Sequence, residues 1–188
     1  VTNEKRYLDL AGFFIDQRGH HEGRASVTFL GQDHVPVRQQ REIVGHAVRA
    51  MYGCVNMTEL YRETGDPELL AAAGRLWESA TQRKMYITGG IGSIGGGESF
   101  GNDYQLPNGA AYAETCAGIG LCFFAHQMWR IDPDAEYIDV LERALYNEVL
   151  GGVQIAGDKF FYPNKLLMTG EPGWGSGRRS WYDCACCP

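Results

Sequence analysis

Ile131-Asp132-Pro133 followed by Asp134-Ala135-Glu136-Tyr137-Ile138-Asp139-Val140-Leu141 is the stretch whose reading decides the fold. Asp132 reads as a helix cap and Pro133 as the first helical residue. Tyr137, Ile138, Leu141, Leu145 and Val149 then fall at helical spacing toward a stop at Gly151-Gly152. The same punctuation occurs at Gly65-Asp66-Pro67. There a helical pattern within 37–63, carried by Val44, Ala47, Val48, Met51, Val55 and Leu60, ends, and a second helix runs to about Arg83. A further helix is expected from about Thr115 to Arg130. Extended segments are short, Ser26 to Leu30 and Lys159 to Tyr162. Matched pairs of helices with Asp-Pro turns predict αα-hairpins rather than βαβ units. Packed side by side, such hairpins close into an α/α toroid, and the four long helices read here supply only part of one.

A chain of 188 residues with 44% hydrophobic composition is long enough for one domain with a core, and it holds no apolar run of the roughly 20 residues that a membrane helix requires. It starts on valine and stops inside a cysteine cluster, so further elements are expected on both sides. The net charge of −6, with basic residues scattered singly, gives no stripe for a nucleic-acid backbone. No targeting segment is visible, and a cytoplasmic location is the default expectation.

Half of the six cysteines lie in the final five positions, Cys184-Ala185-Cys186-Cys187-Pro188. Neighbouring Cys186 and Cys187 cannot pair with each other without strain, and the chain is long for a disulfide framework, so reduced thiols are expected. With Glu114-Thr115-Cys116 they supply one carboxylate and two or three thiolates, the donor set of a tetrahedral Zn²⁺ site. Sharing an ion requires Glu114 and Cys116 to precede the helix, since two residues apart on a helix they would face nearly opposite ways. A zinc clip that serves folding alone, or a set of buried thiols, fits the same residues. Cys54 and Cys122, amid apolar helical neighbours, read as core.

Gly90, Gly92 and Gly95 match a dinucleotide fingerprint in form only. The run follows a helix instead of a strand and leads into a loop, and no Gly-Lys-Ser/Thr follows for a phosphate loop. It reads instead as a long flexible loop carrying Glu98 on a movable arm. His46, set among small residues, and Tyr162, in Phe160-Phe161-Tyr162-Pro163, fit either core packing or the wall of a sugar site. His20, His21, His34 and His126 receive no role.

The chain resembles glycoside hydrolase family 127, the β-L-arabinofuranosidases and their relatives. The resemblance rests on His34-Val35-Pro36-Val37-Arg38, Gly45-His46-Ala47-Val48-Arg49, Gly95-Gly96-Gly97-Glu98-Ser99-Phe100-Gly101, Ala113-Glu114-Thr115-Cys116-Ala117 and Cys184-Ala185-Cys186-Cys187-Pro188, in that order. It implies an (α/α)6 barrel, of which 1–188 would be a single segment, the later part, with β-sandwich domains beyond. It further implies that Glu114, Cys116, Cys186 and Cys187 bind Zn²⁺, that Cys186 is the nucleophile, that Glu98 is the general acid/base, and that His46 and Tyr162 line the sugar subsite. The implied activity is zinc-dependent retaining removal of terminal β-L-arabinofuranose from a small carbohydrate or glycan. Two alternatives stay open: Glu114 as nucleophile beside a structural zinc, and a non-catalytic zinc-stabilised module that only binds carbohydrate.

Overall fold

Asp66 performs the capping that its position predicts: its carboxylate accepts the Glu68 amide at 2.9 Å, and Pro67 occupies the first helical position. In this computed structural model, which describes residues 4–23, 28–168, 170, 175–184 and 186–187, five helices follow one another. They are α1 (Lys5–Gln17), α2 (Ala47–Thr64), α3 (Pro67–Glu78, widened into a π turn at Ser79–Arg83), α4 (Thr115–Ile131) and α5 (Ala135–Ala144, with a π turn at Leu145–Val149 and a last turn at Leu150–Gly152). Among the described residues no sheet forms, and the extended pieces meet only in isolated antiparallel bridges such as Val153 with Phe160.

Pairings along the helices give their directions. Gly120 abuts Met51, Phe123 abuts Tyr52 and Gln127 bonds Glu59, so α2 and α4 run parallel. Gly118 abuts Glu148 while Cys122 reaches the Leu141 carbonyl, so α5 returns antiparallel to α4. Likewise Ser79, past the end of α3, accepts the Ile43 amide just ahead of α2. The α2/α3 and α4/α5 hairpins therefore stand side by side with parallel inner helices, an arc of an (α/α)6 toroid.

Burial separates the layers. The inner α4 buries Cys116, Ala117, Gly120, Leu121, Phe124, Ala125 and Met128, whereas the outer α3 buries one stripe, Leu69, Ala72, Ala73, Leu76 and Trp77. Trp77 joins the hairpins, with its ring edge-on to Phe124 and its indole N–H donating to Glu136 at 2.8 Å. Each fully buried side chain of Phe or Leu size contributes about 1.5–3 kcal/mol over exposure. Among the described residues no helix is long and apolar enough to cross a membrane.

Three expectations need correction. The cap of α5 is Asp134, which accepts the Glu136 amide at 2.9 Å; Asp132 is instead the C-cap of α4, its amide bonded to the Met128 carbonyl, and α5 starts only at Ala135. The helical pattern of 37–63 is not one helix: Val37–Gln39 forms a 3-10 turn, and α2 starts only at Ala47, since Val37 and Ile43 are buried by an irregular segment. The extended stretch at Ser26 lies partly outside the described residues, and its end, Phe29–Gly31, is a 3-10 turn. Lys159 to Tyr162 is extended, pinned where Phe160 and Arg179 exchange both backbone hydrogen bonds at 2.9 Å.

Candidate metal centre and adjoining carboxylate

Both inner helices begin at the same end of the arc. His46 stands at the N-cap of α2 and Glu114 at the N-cap of α4, each with extended backbone. Helix starts present unpaired amides and the positive end of the helix dipole, which favours carboxylates and thiolates there. The α4 start is pinned from outside: the Tyr162 carbonyl accepts the Thr115 amide at 3.0 Å, and the Phe161 carbonyl accepts the Thr115 hydroxyl at 2.8 Å.

At this point Glu114, Cys116, Cys186 and Cys187 bring one donor atom each within 4.8 Å of all the others. The Cys116 sulfur lies 2.9 Å from that of Cys186 and 3.4 Å from that of Cys187, and the Cys186 thiol donates to Glu114 Oε1 at 3.3 Å. Cys116 sits in the first turn of α4, not ahead of it as expected. Convergence still works because the extended N-cap turns Glu114 toward the same side.

The donors fit a cation and are poorly served without one. Glu114 is 2% exposed, and its Oε2 is buried with no hydrogen-bond partner. Burial raises the Glu114 carboxyl above its ordinary range, with the Cys186 thiol pulling the other way. The bond to Cys187 and then burial push the Cys116 thiol far up, and burial first, then Cys116 and Glu114, push Cys186 up to about 12. A pocket that resists this much negative charge is stabilised by a divalent ion. One carboxylate with three thiolates is a soft, closed set suited to zinc among the common metals.

Beside it stands the second group. Glu98 Oε1 accepts the Tyr112 hydroxyl at 2.7 Å, and Glu98 Oε2 lies 2.9 Å from His46 Nε2. Glu98 and Glu114 are near enough for Glu98 to help raise the Glu114 carboxyl, and Tyr162 feels both carboxylates as well as Cys186. The rings of Tyr112 and Tyr162 meet edge-on with centroids 6.2 Å apart, and both phenols are held protonated, chiefly by burial. Tyr112 escaped the sequence reading, since a single aromatic in Ala110-Ala111-Tyr112-Ala113 carries no spacing signal.

Glu98 does not ride a loose arm. Ile94 and Ser99 exchange backbone bonds, the Glu98 carbonyl accepts the Ala47 amide at 2.9 Å, and the Phe100 amide reaches the Gly45 carbonyl. Ile91, Ser93, Ser99 and Phe100 are buried. The glycines serve shape: Gly92 has φ +81°, and a Cβ there would come within 2.8 Å of that of Ala47. Glu98 itself has φ +52°, a left-handed conformation that costs a non-glycine residue energy and is kept by surrounding contacts.

The remaining candidates separate cleanly. Cys54 is buried in the core and its thiol is pushed up to about 12, while half-buried Cys122 is pushed up to about 11 by the same desolvation. Cys184 is exposed and touches the Tyr162 hydroxyl at 4.0 Å, outside the four-residue set. His34 stacks on Phe29 and His126 on Trp129. Ala185 and Pro188 of the terminal motif lie outside the described residues.

The family model for the beta-L-arabinofuranosidase GH127 catalytic domain matches residues 1–188. The chain is 39% identical over 213 aligned residues to a non-reducing end beta-L-arabinofuranosidase of Bifidobacterium longum subsp. longum, covering all of this chain and 32% of that protein. It is also similar to the solved structure of a GH127 beta-L-arabinofuranosidase from Geobacillus stearothermophilus T6, with 43% identity, TM-score 0.90, and coverage of 100% of this chain and 33% of that one. A second solved GH127 beta-arabinofuranosidase gives 44% identity, TM-score 0.91, and coverage of 99% and 28%. The chain thus spans about a third of the length of the relatives it matches.

Proposed function

The chain belongs to the family of GH127 beta-L-arabinofuranosidase catalytic domains, and from that premise we propose that it carries the core of a zinc-dependent retaining exo-glycosidase that releases terminal β-L-arabinofuranose. The observation that supports this most is the adjacency of two chemically distinct groups. Glu114, Cys116, Cys186 and Cys187 converge as metal donors, and Glu98 stands beside them, held by Tyr112 and His46.

Retaining hydrolysis needs a nucleophile on one face of the anomeric carbon and an acid/base on the other, about 5 Å apart. Cys186 is the exposed member of the thiol set, and it is the proposed nucleophile. Bound zinc would hold that sulfur as thiolate near neutral pH and stabilise it again as it leaves. In the first step the Cys186 sulfur forms a bond to the anomeric carbon while the glycosidic C–O bond breaks, and Glu98 gives its proton to the departing oxygen. In the second step water attacks the same carbon, Glu98 takes the water's proton, and the C–S bond breaks. Product and starting glycoside then share the β configuration.

Tyr112 and His46 orient Glu98 through its two oxygens. His46, bonded to Glu98, and Tyr162, packed beside Tyr112 and Cys116, are the residues proposed to line the sugar subsite. The test is turnover of an aryl β-L-arabinofuranoside by the full-length parent, with the anomer first released read by NMR. β product, lost in Cys186→Ser and in Glu98→Gln, supports the reading. α product, or full activity in Cys186→Ser, contradicts it.

A further inference from the structure

Ala113, immediately ahead of the metal donor Glu114, is fully buried and has φ +41°. Left-handed backbone is unfavourable for an L residue with a Cβ and persists only where neighbours impose it. The Ala113 amide is held by the Gly92 carbonyl at 2.8 Å, and its carbonyl side is held by one residue. The Ala113 carbonyl accepts both the backbone amide of Asn164, at 2.9 Å, and its side-chain amide, at 3.1 Å. The same side-chain nitrogen donates to the Thr115 hydroxyl at 2.9 Å. Asn164 therefore grips the residues on either side of Glu114 through one side-chain nitrogen.

The grip extends on both sides. The Thr115 hydroxyl passes its own proton to the Phe161 carbonyl at 2.8 Å, and Glu114 pairs across an antiparallel bridge with Pro163. Beneath Asn164 lies Glu148, 1% exposed, whose carboxyl engages Asn164 and Thr88. Gly152 leaves the Asn164 carbonyl oxygen its space, since a Cβ there would stand 3.1 Å away. None of these contacts is needed to build α4, which starts at Thr115 and has its first amide bonded to Tyr162. Their common effect is on the direction in which Glu114 leaves the backbone, and on the first turn that carries Cys116.

We propose that Asn164 is a positioning residue of the metal centre: by clamping Ala113 and Thr115 it aims the Glu114 carboxylate and the Cys116 thiol at one point. The inference rests on the metal-binding reading of Glu114, Cys116, Cys186 and Cys187. Partners that orient metal ligands typically account for about 10- to 100-fold in metal affinity.

The test is Co²⁺ titration of the 188-residue chain under reducing conditions. Thiolate-to-cobalt absorption is the readout, and far-ultraviolet circular dichroism runs alongside. Asn164→Ala and Thr115→Val should bind Co²⁺ about tenfold or more weakly, with altered ligand-field bands, while Thr115→Ser, which keeps the hydroxyl, should match the parent. If Asn164→Ala loses its helical signal, the nearly isosteric Thr115→Val decides. Parent-like affinity and spectrum in the folded variants would overturn the clamp and leave the metal centre standing. A parent that gives no thiolate absorption would overturn both, which distinguishes the two failures.

Discussion

Cys116 and Cys186 are 70 residues apart in the chain, and their sulfurs lie 2.9 Å from each other beside a carboxylate that is almost wholly buried. Thiols and carboxylate at this spacing repel once ionised, so the arrangement is stable either fully protonated or around a cation. The start of α4 supplies one half of the set and the terminal Cys186-Cys187 pair the other, and the metal would tie the last residues of the chain onto an inner helix.

This predicts a specific pattern of thiol reactivity. With zinc bound, iodoacetamide should modify exposed Cys184 and spare Cys116, Cys186 and Cys187, and a chelator should open Cys186 first. Peptide mapping by mass spectrometry reads both states. Equal labelling of Cys184 and Cys186 with and without metal would count against coordination.

Metal uptake should be strongly pH-dependent. The Glu114 carboxyl and the Cys116 and Cys186 thiols are all raised in the free site, Cys186 to about 12, so binding must displace protons that the site holds at neutral pH. Apparent affinity should therefore rise with pH through the neutral range, by roughly tenfold per unit for each proton released. Calorimetry in buffers of different ionisation enthalpy counts those protons, and a pH-independent affinity would be inconsistent with thiolate ligation.

Tyr112→Phe should leave the fold intact and lower kcat of the parent enzyme about 10- to 100-fold, since a hydrogen bond to a carboxylate is worth roughly 1.5–3 kcal/mol. The loss should fall on kcat more than on KM if Tyr112 serves Glu98 and not the sugar. Unchanged kinetics would remove it from the machinery.

Glu148 gives a stability test away from the metal. Burial holds its carboxyl well above the ordinary 4.5, so the folded state binds this proton more tightly than the unfolded chain. Its contribution is complete below about 4.5 and is lost as pH rises through the folded-state value. Glu148→Gln, neutral at every pH, should therefore gain in Tm relative to the parent as pH rises, and a constant difference would contradict buried neutral Glu148.

Gly120 allows α2 and α4 to approach, because a Cβ there would lie 2.7 Å from that of Met51. Gly120→Ala should cost about 1–3 kcal/mol in denaturant unfolding through overpacking, against the small gain expected from helix propensity alone.

The features legible in the sequence are those encoded locally. Asp66-Pro67, the span of α4 and the two hairpins follow from capping and periodicity, which involve neighbours within a turn or two. What escaped was decided at longer range. Val37 and Ile43 mimic a helical stripe although they are buried from irregular backbone, and α1, which the sequence reading passed over, packs Leu8 and Ile15 on the core while Tyr7, Leu10, Phe13 and Phe14 stay exposed. Glycines at 89–97 suggested mobility, yet they are used for left-handed turns and close contacts. Cysteine type and spacing pointed to Glu114, Cys116 and the cluster at 184–187, the family resemblance singled out Cys186 and Cys187 within it, and the fold brings those four together. Tyr112 and Asn164 act through single contacts that no spacing announces.

The decisive measurement is zinc content by elemental analysis of protein purified under reducing conditions, set against the Cys186→Ser, Cys187→Ser double variant. About one zinc per chain, absent from a folded double variant, is the predicted result. A parent without zinc, or a double variant that keeps it, would contradict the metal centre and leave Cys186 without its means of activation.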